Sequence, residues 1–242
     1  MRRTRGAVAA PTAFMLLVAA TAVSGCGIVD TPDADLANNP VVAATKSSVV
    51  TVRAVAPSCQ KEQEGSGFVV SDHTVMSNAH VVAGSDSVTV QDTDGTSYDA
   101  TVVSYNPRVD ISILTVPGLP APPLAFANAP AATGTDALVM GFPDDSSFEA
   151  TPARIREVIE LTGPDIYRTT TITRQVYTIR GTVRQGDSGG PMVDLNGHVL
   201  GVVFGAAVDD AGTGYALTAN EVSGELQNIG NTTAAATGSC VN

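Results

Sequence analysis

The sequence predicts an all-β protein built from two antiparallel barrels of six strands each, followed by a short C-terminal helix. Short runs rich in β-branched residues recur from residue 47 onward and are separated by turn residues, and they form two sets of about six. Residues 117–130 contain five prolines and no apolar period, which indicates a connection between the two sets. The spacing therefore permits each set to close as one barrel.

The first 25 residues are typical of a secretion signal. Three arginines precede an apolar stretch centred on residues 13–18, which is too short for a comfortable membrane span. Small residues before Cys26 resemble a bacterial lipobox, in which the cysteine becomes the lipidated first residue of the mature chain. The alternative is an ordinary cleaved signal beside an incidental Cys26. Lipidation is favoured, and two acyl chains would hold the protein at the outer face of the cytoplasmic membrane.

Residues 26–42 are predicted to form a flexible tether, because most of this segment is polar, acidic and proline-bearing. The first barrel is predicted over residues 43–120, and Asp94-Gly95 marks one of its hairpins. Its expected strands are 48–52, 67–70, 75–76, 87–90, 100–103 and 111–116. Residues 121–132 then form the linker between the barrels.

The second barrel is predicted over residues 133–218. Its expected strands are 137–140, 153–159, 170–179, 191–193, 199–204 and 214–217. The dipeptide Asn196-Gly197 predicts a type I′ turn between two of them.

Residues 219–242 are predicted to form a short helix and a tail. Thr218 and Glu221 have the spacing of a capping box, and Val222, Leu226 and Ile229 recur at helical intervals.

The three cysteines fit an exported, lipidated chain. Lipidation of Cys26 leaves Cys59 and Cys240 as one pair, which predicts a disulfide that clips the C-terminus onto the first barrel. Such a long loop would stabilise the fold by about 5 kcal/mol at most in the chain-entropy account. The alternative is two free thiols in a reducing compartment, and the export signal argues against it.

Charge limits the classes of partner. The chain has 13 basic and 24 acidic residues, and removal of the signal takes three arginines and no acids, which leaves a net charge of about −14. This argues against nucleic acid and against anionic membrane surfaces as partners. The His, Cys and carboxylate residues show no metal-ligand spacing, so neither a metal nor another cofactor is predicted.

Residues 186–191, Gly-Asp-Ser-Gly-Gly-Pro, form the most informative motif. They place the hydroxyl of Ser188 among glycines and beside an aspartate. A serine is a weak nucleophile at neutral pH, so it needs a general base and a group that orients that base.

One histidine and one aspartate fit these two roles. His73 and His198 lie at predicted turns, whereas His80 follows a predicted strand at the edge of the core. Asp110 begins an otherwise apolar run, where a buried carboxylate needs a partner. The sequence therefore predicts a catalytic set of His80, Asp110 and Ser188.

This order along the chain, His then Asp then Ser, is the one that chymotrypsin-like proteases use. The sequence resembles the chymotrypsin-fold (trypsin-like) serine endopeptidases in three motifs: Ser-Asn-Ala-His ending at His80, Asp-Ile-Ser-Ile-Leu beginning at Asp110, and residues 186–191. The last match covers six consecutive positions and is the specific one.

Within that family, residues from about 43 to 242 are similar to the protease domain of the mycobacterial periplasmic acid-resistance type. The placement of Cys59 and Cys240 and the stretches 185–191 and 202–207 carry this likeness.

The resemblance implies an active site in the cleft, with His80 and Asp110 from the first barrel and Ser188 from the second. His80 would take the proton of Ser188, and Asp110 would orient the imidazole. The main-chain amides of Gly186 and Ser188 would form the oxyanion hole.

The resemblance also implies a substrate pocket. Its candidate residues are Thr182, Gln185, Phe204, Gly205, Ala206 and Gly214. Because Thr182 occupies the pocket floor without an acid, we expect small or medium apolar P1 side chains and no basic ones.

Two departures from the family pattern bear on the site. Val203 stands where animal members have a serine that hydrogen-bonds the catalytic aspartate. Asp187 pairs with a newly released N-terminus in zymogen-type members, and a lipidated Cys26 cannot supply that amine. Asp187 therefore needs another donor, or the tether is cut.

The sequence thus predicts a monomeric, membrane-tethered serine endopeptidase that acts on protein or peptide substrates of the cell envelope. The main alternative is a catalytically inactive protease-fold lipoprotein that binds peptides in the cleft. A small-ester hydrolase is less favoured, because its serine would lie at an elbow between strand and helix and its histidine would come last.

Overall fold

The computed structural model of the chain describes residues 29–145 and 147–241. Two closed antiparallel barrels of six strands each make up the fold, which confirms the predicted fold class. The predicted signal and Cys26 lie outside the described residues.

The first barrel has the strand order β1-β2-β3-β6-β5-β4, and β1 pairs with β4 to close it. Its strands are β1 Val49–Ala56, β2 Lys61–Ser71, β3 Thr74–Ser77, β4 Ser87–Gln91, β5 Ser97–Asn106 and β6 Ile111–Thr115. All six expected strands are present, and β2 extends well beyond the predicted segment because its early residues pair with β1 at the surface.

The second barrel has the order β10-β11-β12-β9-β8-β7 and closes between β7 and β10. Its strands are β7 Asp136–Gly141, β8 Glu149–Pro164, β9 Thr171–Arg180, β10 Pro191–Val193, β11 Val199–Ala206 and β12 Thr213–Thr218. The strands β8 and β9 form a long hairpin whose tip reaches the first barrel, where the amide of Ile166 donates to the carbonyl of Pro107 (3.5 Å).

Each barrel has its own apolar core, and a third cluster fills the space between them. That cluster joins Phe68 and Ile113 of the first barrel to Leu138 and Val202 of the second, and all four are fully or almost fully buried. The linker is fixed to both barrels: Leu124 donates to the carbonyl of Val69 (2.9 Å), and the next residues pair with β11. The two barrels are therefore held by shared burial of apolar surface.

The N-terminal segment differs from the predicted tether. Ala34–Asn38 forms a 3-10 turn and Pro40–Thr45 forms helix α1, although residues up to 42 were expected to be flexible. The side chain of Asn39 caps α1, and Val41 is buried against the cluster between the barrels. A cap and one docked apolar residue order this segment in spite of its polar composition.

The C-terminal helix is shorter than its periodicity predicts. Helix α2, Ala219–Val222, continues as a 3-10 turn over Ser223–Asn228. Thr218 accepts from the amide of Glu221 (3.1 Å), as a capping box requires, but the carboxylate of Glu221 accepts from the amide of Gln175 (2.8 Å). The capping box is therefore half formed, because the carboxylate of Glu221 is bonded to the main chain of β9 and not to the amide of Thr218. No helix within residues 29–145 and 147–241 is long and apolar enough to cross a membrane.

The tail that follows lies along the first barrel. The amide of Ala235 donates to the carbonyl of Val102 (2.8 Å), and the amide of Gly84 donates to the carbonyl of Thr237 (3.0 Å). These main-chain bonds lead the tail to Cys240, which forms a disulfide with Cys59 in the connection between β1 and β2.

The turn at Asn196-Gly197 is not the predicted type I′ turn. Gly197 has a positive φ of 86°, but Asn196 does not lie in the left-handed region. The carboxylate of Asp194 accepts from the amides of Asn196 (2.9 Å) and His198 (2.8 Å). This side chain selects a wider turn with a single left-handed residue.

Candidate active site

His80 and Asp110 form a hydrogen-bonded pair of polar side chains beside two strands of the first barrel. His80 opens a 3-10 turn shortly after β3, and Asp110 directly precedes β6. His80 Nδ1 lies 2.8 Å from Asp110 Oδ2, and the main-chain amide of His80 donates to Oδ1 (2.9 Å). Because Nδ1 faces a carboxylate, it carries the proton of a neutral ring, and Nε2 remains the acceptor.

Asn78 and Ser112 support this pair, and sequence reasoning did not single them out. Asn78 donates from Nδ2 to the carbonyl of Asp110 (2.8 Å), and Ser112 donates from Oγ to the carbonyl of Asn78 (3.0 Å). Both side chains are fully buried. Their signal in the sequence was polarity inside two apolar segments, because a buried polar group needs a partner.

The serine loop lies between β9 and β10 and is shaped by glycines. Gly186 has a φ of +94°, and a Cβ atom there would collide with the carbonyl oxygen of Phe142. Ser66 of β2 braces the loop from below: its Oγ donates to the carbonyl of Gly186 (2.6 Å), and its amide donates to the carbonyl of Ser188 (2.8 Å). The first barrel therefore holds a loop of the second.

The serine loop and the segment that carries His80 come together around two glycines. A Cβ atom on Gly65 would lie 2.6 Å from a methyl group of Val81 and 2.9 Å from the carbonyl oxygen of Ser188. A Cβ atom on Gly189 would lie 2.9 Å from the amide of Asn78. Glycine, which has no Cβ atom, is therefore needed at both positions for the two segments to lie this close together. The Ser188 hydroxyl is partly exposed and makes no hydrogen bond to the part of the chain that the structure describes.

The electrostatics of His80 reflect its partner. Burial of the ring opposes its protonation, but the charge of Asp110 and the hydrogen bond to it outweigh that effect and raise the pKa of His80 above 6.5. The positive charge of Arg174 acts on the pKa in the opposite direction.

Asp187 is a second buried carboxylate, at 2% exposure. Its Oδ2 accepts from the amide of Arg184 (2.8 Å), so a main-chain amide of the same loop is one donor to this carboxylate. Burial raises the pKa of Asp187 to about 6, although that hydrogen bond and the charge of Arg184 lower it. The carboxyl group is therefore ionised only above mildly acidic pH.

Four of the six predicted pocket residues lie together on β11 and β12. Gly205 pairs with Tyr215 and Ala206 pairs with Gly214, while the ring of Phe204 lies 6.2 Å from that of Tyr215. Gly214 is buried, because the side chain of Val183 covers it.

The other two predicted pocket residues are exposed and lie in the loop between β9 and β10. Thr182 follows Gly181, whose amide bonds the carbonyl of Gly212 just before β12. Gln185 lies apart from the Phe204 group and lines a groove against Arg53 and its neighbours on β1 and β2.

Val203 stands where the family pattern has a serine, and it is fully buried. Val203 supplies no side-chain donor, and both carboxylate oxygens of Asp110 accept from His80. Arg174 on β9, which sequence reasoning missed, lies close enough for its charge to lower the pKa of His80. Within the described residues, no group of three His, Cys, Asp or Glu side chains is placed to hold a metal ion.

Comparisons with known proteins show which family and which proteins the chain is similar to. Residues 65–202 match the family described as trypsin-like peptidase domain. The chain is 62% identical over 214 residues to serine protease Rv3671c of Mycobacterium tuberculosis, which covers 88% of this chain and 54% of that protein. It is 29% identical over 186 residues to a probable periplasmic serine endoprotease, DegP-like, of Brucella suis, which covers 67% of this chain and 33% of that protein. The chain thus spans about half the length of Rv3671c.

Two crystal structures of the Rv3671c protease are similar in fold to this chain. The crystal structure of the active form of the Rv3671c protease superposes with a TM-score of 0.87 at 57% identity and covers 98% of this chain and all of that one. The inactive form superposes with a TM-score of 0.75 at 60% identity, covering 83% of this chain and 98% of that one.

Proposed function

Because the chain belongs to the trypsin-like peptidase family, we propose that it is a serine endopeptidase in which Ser188 attacks a peptide carbonyl and His80 is the general base. The observation that carries the proposal is the contact between two loops. The ordered pair of His80 and Asp110 adjoins a glycine-rich loop that presents a partly exposed hydroxyl.

The proton transfers follow from the hydrogen bonds of the imidazole. Asp110 holds the proton of His80 at Nδ1, so Nε2 faces the cleft as a base and receives the proton of Ser188 during attack. The imidazolium then donates this proton to the leaving amine, and Asp110 stabilises the cation. Water reverses the sequence and releases the acyl group from Ser188.

The oxyanion of the tetrahedral intermediate has two candidate donors. Within residues 29–145 and 147–241, the amides of Gly186 and Ser188 make no hydrogen bond to the protein. The positive φ of Gly186 turns its own N–H group in a direction that a residue with an ordinary negative φ does not reach. Each donor of this kind contributes about two to three orders of magnitude in rate.

The substrate strand is proposed to pair with β11. Val203 bonds Gly189 and Gly190 of the serine loop, and the strand then continues outward through 204–206. An antiparallel substrate would run inward along this edge, which places residues N-terminal to the scissile bond beside Phe204. Thr182 supplies no negative charge, so the proposed P1 side chain is small or medium and apolar.

We assign the substrates to the cell envelope. The secretion signal and the lipobox at Cys26 support export and anchoring, and the disulfide between Cys59 and Cys240 fits an oxidising compartment. Relatives are described as periplasmic serine endoproteases. We propose the limits 43–120 and 133–218 for the two barrels. We also propose that the mature chain is a monomer, which analytical ultracentrifugation tests.

A fluorophosphonate probe tests the proposal. The wild-type chain is expected to be labelled and to cleave an unstructured protein substrate, and Ser188→Ala is expected to do neither. Ser87→Ala, which alters an exposed serine on β4, is the matched control and should keep both activities. A folded wild-type chain that binds peptides, resists the probe and cleaves nothing would support the inactive peptide-binding alternative. An esterase is disfavoured because the strand β10 follows Ser188, where an esterase elbow leads into a helix.

A further inference from the structure

Arg174 lies at the border of the two barrels, beside the proposed substrate strand. Its Nε donates to the carbonyl of Arg108 (2.8 Å), and its Nη2 donates to the carbonyl of Pro164 (3.2 Å). The guanidinium carbon lies 6.0 Å from the centre of the Phe204 ring. These three contacts fix the guanidinium group and leave Nη1 without a hydrogen bond to the described residues.

The charge of Arg174 is not used in an ion pair within the described part of the chain. Of the other described arginines, Arg53, Arg154, Arg156 and Arg184 are paired with carboxylates, whereas Arg108, Arg168 and Arg180 are not. Two carboxylates near Arg174 are occupied elsewhere, since Asp165 accepts from Thr169 and Glu221 accepts from the amide of Gln175.

Arg174 is also electrostatically close to the catalytic pair. Its charge lowers the pKa of His80. Burial lowers the pKa of Arg174 itself, and the negative charge of Asp110 opposes that effect. The guanidinium group is therefore partly buried, already oriented by two carbonyls, and placed between the Asp110 loop and the face of Phe204.

We infer that Arg174 is a specificity-determining residue that binds an acidic side chain of the substrate, N-terminal to the scissile bond. The inference rests on the proposed endopeptidase function and on the antiparallel placement of the substrate along 204–206. A substrate carboxylate reaching over Phe204 meets a guanidinium that still has free N–H groups, and such charged hydrogen bonds are stronger than neutral ones. The cost of ordering the arginine has largely been met by its bonds to the two carbonyls.

A purely structural role for Arg174 makes a different prediction. If the arginine only anchored the carbonyl of Arg108, and through it the Asp110 loop, its loss would slow the cleavage of every peptide alike. If Arg174 instead binds a substrate carboxylate, its loss slows the cleavage of acidic peptides more than that of neutral or basic ones.

The test uses fluorogenic peptides that share an apolar P1 residue and differ only in Glu, Gln or Lys at P2, P3 or P4. The wild-type chain is expected to prefer Glu over Gln about tenfold in kcat/KM at one of these positions, mainly through KM. Arg174→Gln should abolish this preference, and Arg174→Glu should favour Lys. Arg168→Gln, which removes an exposed arginine from the tip of the same hairpin, should leave the preference unchanged.

Cleavage without a charge preference in the wild-type chain would overturn the role of Arg174 alone. An equal loss for all peptides in Arg174→Gln, with the Glu-to-Gln ratio retained, would do the same. If the wild-type chain cleaved none of the peptides and resisted the fluorophosphonate probe, the proposed function would fail together with this inference.

Discussion

The two barrels build their parts of the site by different means. The first barrel fixes the imidazole by side-chain hydrogen bonds, from His80 to Asp110 and from Asn78 to the Asp110 main chain. The second barrel shapes the serine loop through its main chain, with glycines at positions where a Cβ atom would collide with neighbouring carbonyls. Substitutions in the first part should therefore alter proton transfer, whereas those in the second should alter the geometry of the loop.

The largest expected effects test whether the two parts act as one unit. Ser188→Ala and His80→Ala should each lower kcat about 10⁶-fold, and the double variant should lose no more, because the two groups share one proton transfer. Asp110→Asn should cost about 10⁴-fold, since the amide favours the wrong tautomer of His80. Peptide hydrolysis measures the rates, and circular dichroism confirms folding. Additive losses in the double variant would contradict a shared transfer.

The next effect separates main-chain geometry from side-chain chemistry. Gly186→Ala should lower kcat about 10²- to 10³-fold with a smaller change in KM, because the loop must shift and one oxyanion donor is displaced. Gly95→Ala is the matched control: Gly95 also has a positive φ, of 88°, but no atom lies within 4 Å of the added Cβ. It should cost about 1–2 kcal/mol of stability and leave kcat unchanged. Equal kcat values for the two variants would show that the shape of the serine loop is unimportant.

The smallest expected effect concerns the buried carboxyl group of the second barrel. Asp187 has a pKa of about 6 in the folded chain against an ordinary 3.8, so the folded state binds its proton more tightly than the unfolded state. Its contribution to the free energy of unfolding is fully present below the ordinary pKa and is lost as the pH rises through about 6. The loss is on the order of 2–3 kcal/mol.

Denaturant unfolding at pH 4 and pH 7 measures this contribution. Asp187→Asn should remove that part of the pH dependence. Asp194→Asn should act with the opposite sign and in a lower pH window, because hydrogen bonds from the amides of His198 and Asn196 outweigh burial and lower the pKa of Asp194 below 3.8. The stability that Asp194 contributes is present above pH 4 and is lost as the pH falls below that value, so unfolding between pH 4 and pH 2 measures it. Identical pH slopes for the wild-type chain and Asp187→Asn would show that the carboxyl group is not perturbed by its burial.

The fold class was predictable because barrel strands and their turns leave a local pattern. The alternation of β-branched runs and turn residues located all twelve strands, and the linker was evident from its prolines. The ordered segment at 34–45 and the docked tail were not predicted. The cap at Asn39 followed by Pro40 was a helix-start signal that the sequence analysis did not use. The burial of Val41 and the main-chain bonds of the tail have no sequence signature.

The candidate site was predictable to the extent that its chemistry lies in short motifs. The motif at 186–191 and Asp110, which directly precedes β6, can be recognised from their residue types. Ser66 and Arg174 do not, because each acts from a strand that is distant in sequence from the group it contacts. Such residues become visible only when the register between strands is known.

The central claim is that His80 takes the proton of Ser188, and the pH dependence of covalent labelling tests it most directly. The rate of fluorophosphonate labelling in the wild-type chain should rise with a single midpoint above pH 6.5, because the pKa of His80 is raised and only the neutral ring accepts a proton. Peptide mass spectrometry should locate the adduct on Ser188. Labelling that is independent of pH between 5 and 8, or an adduct on another residue, would contradict the account.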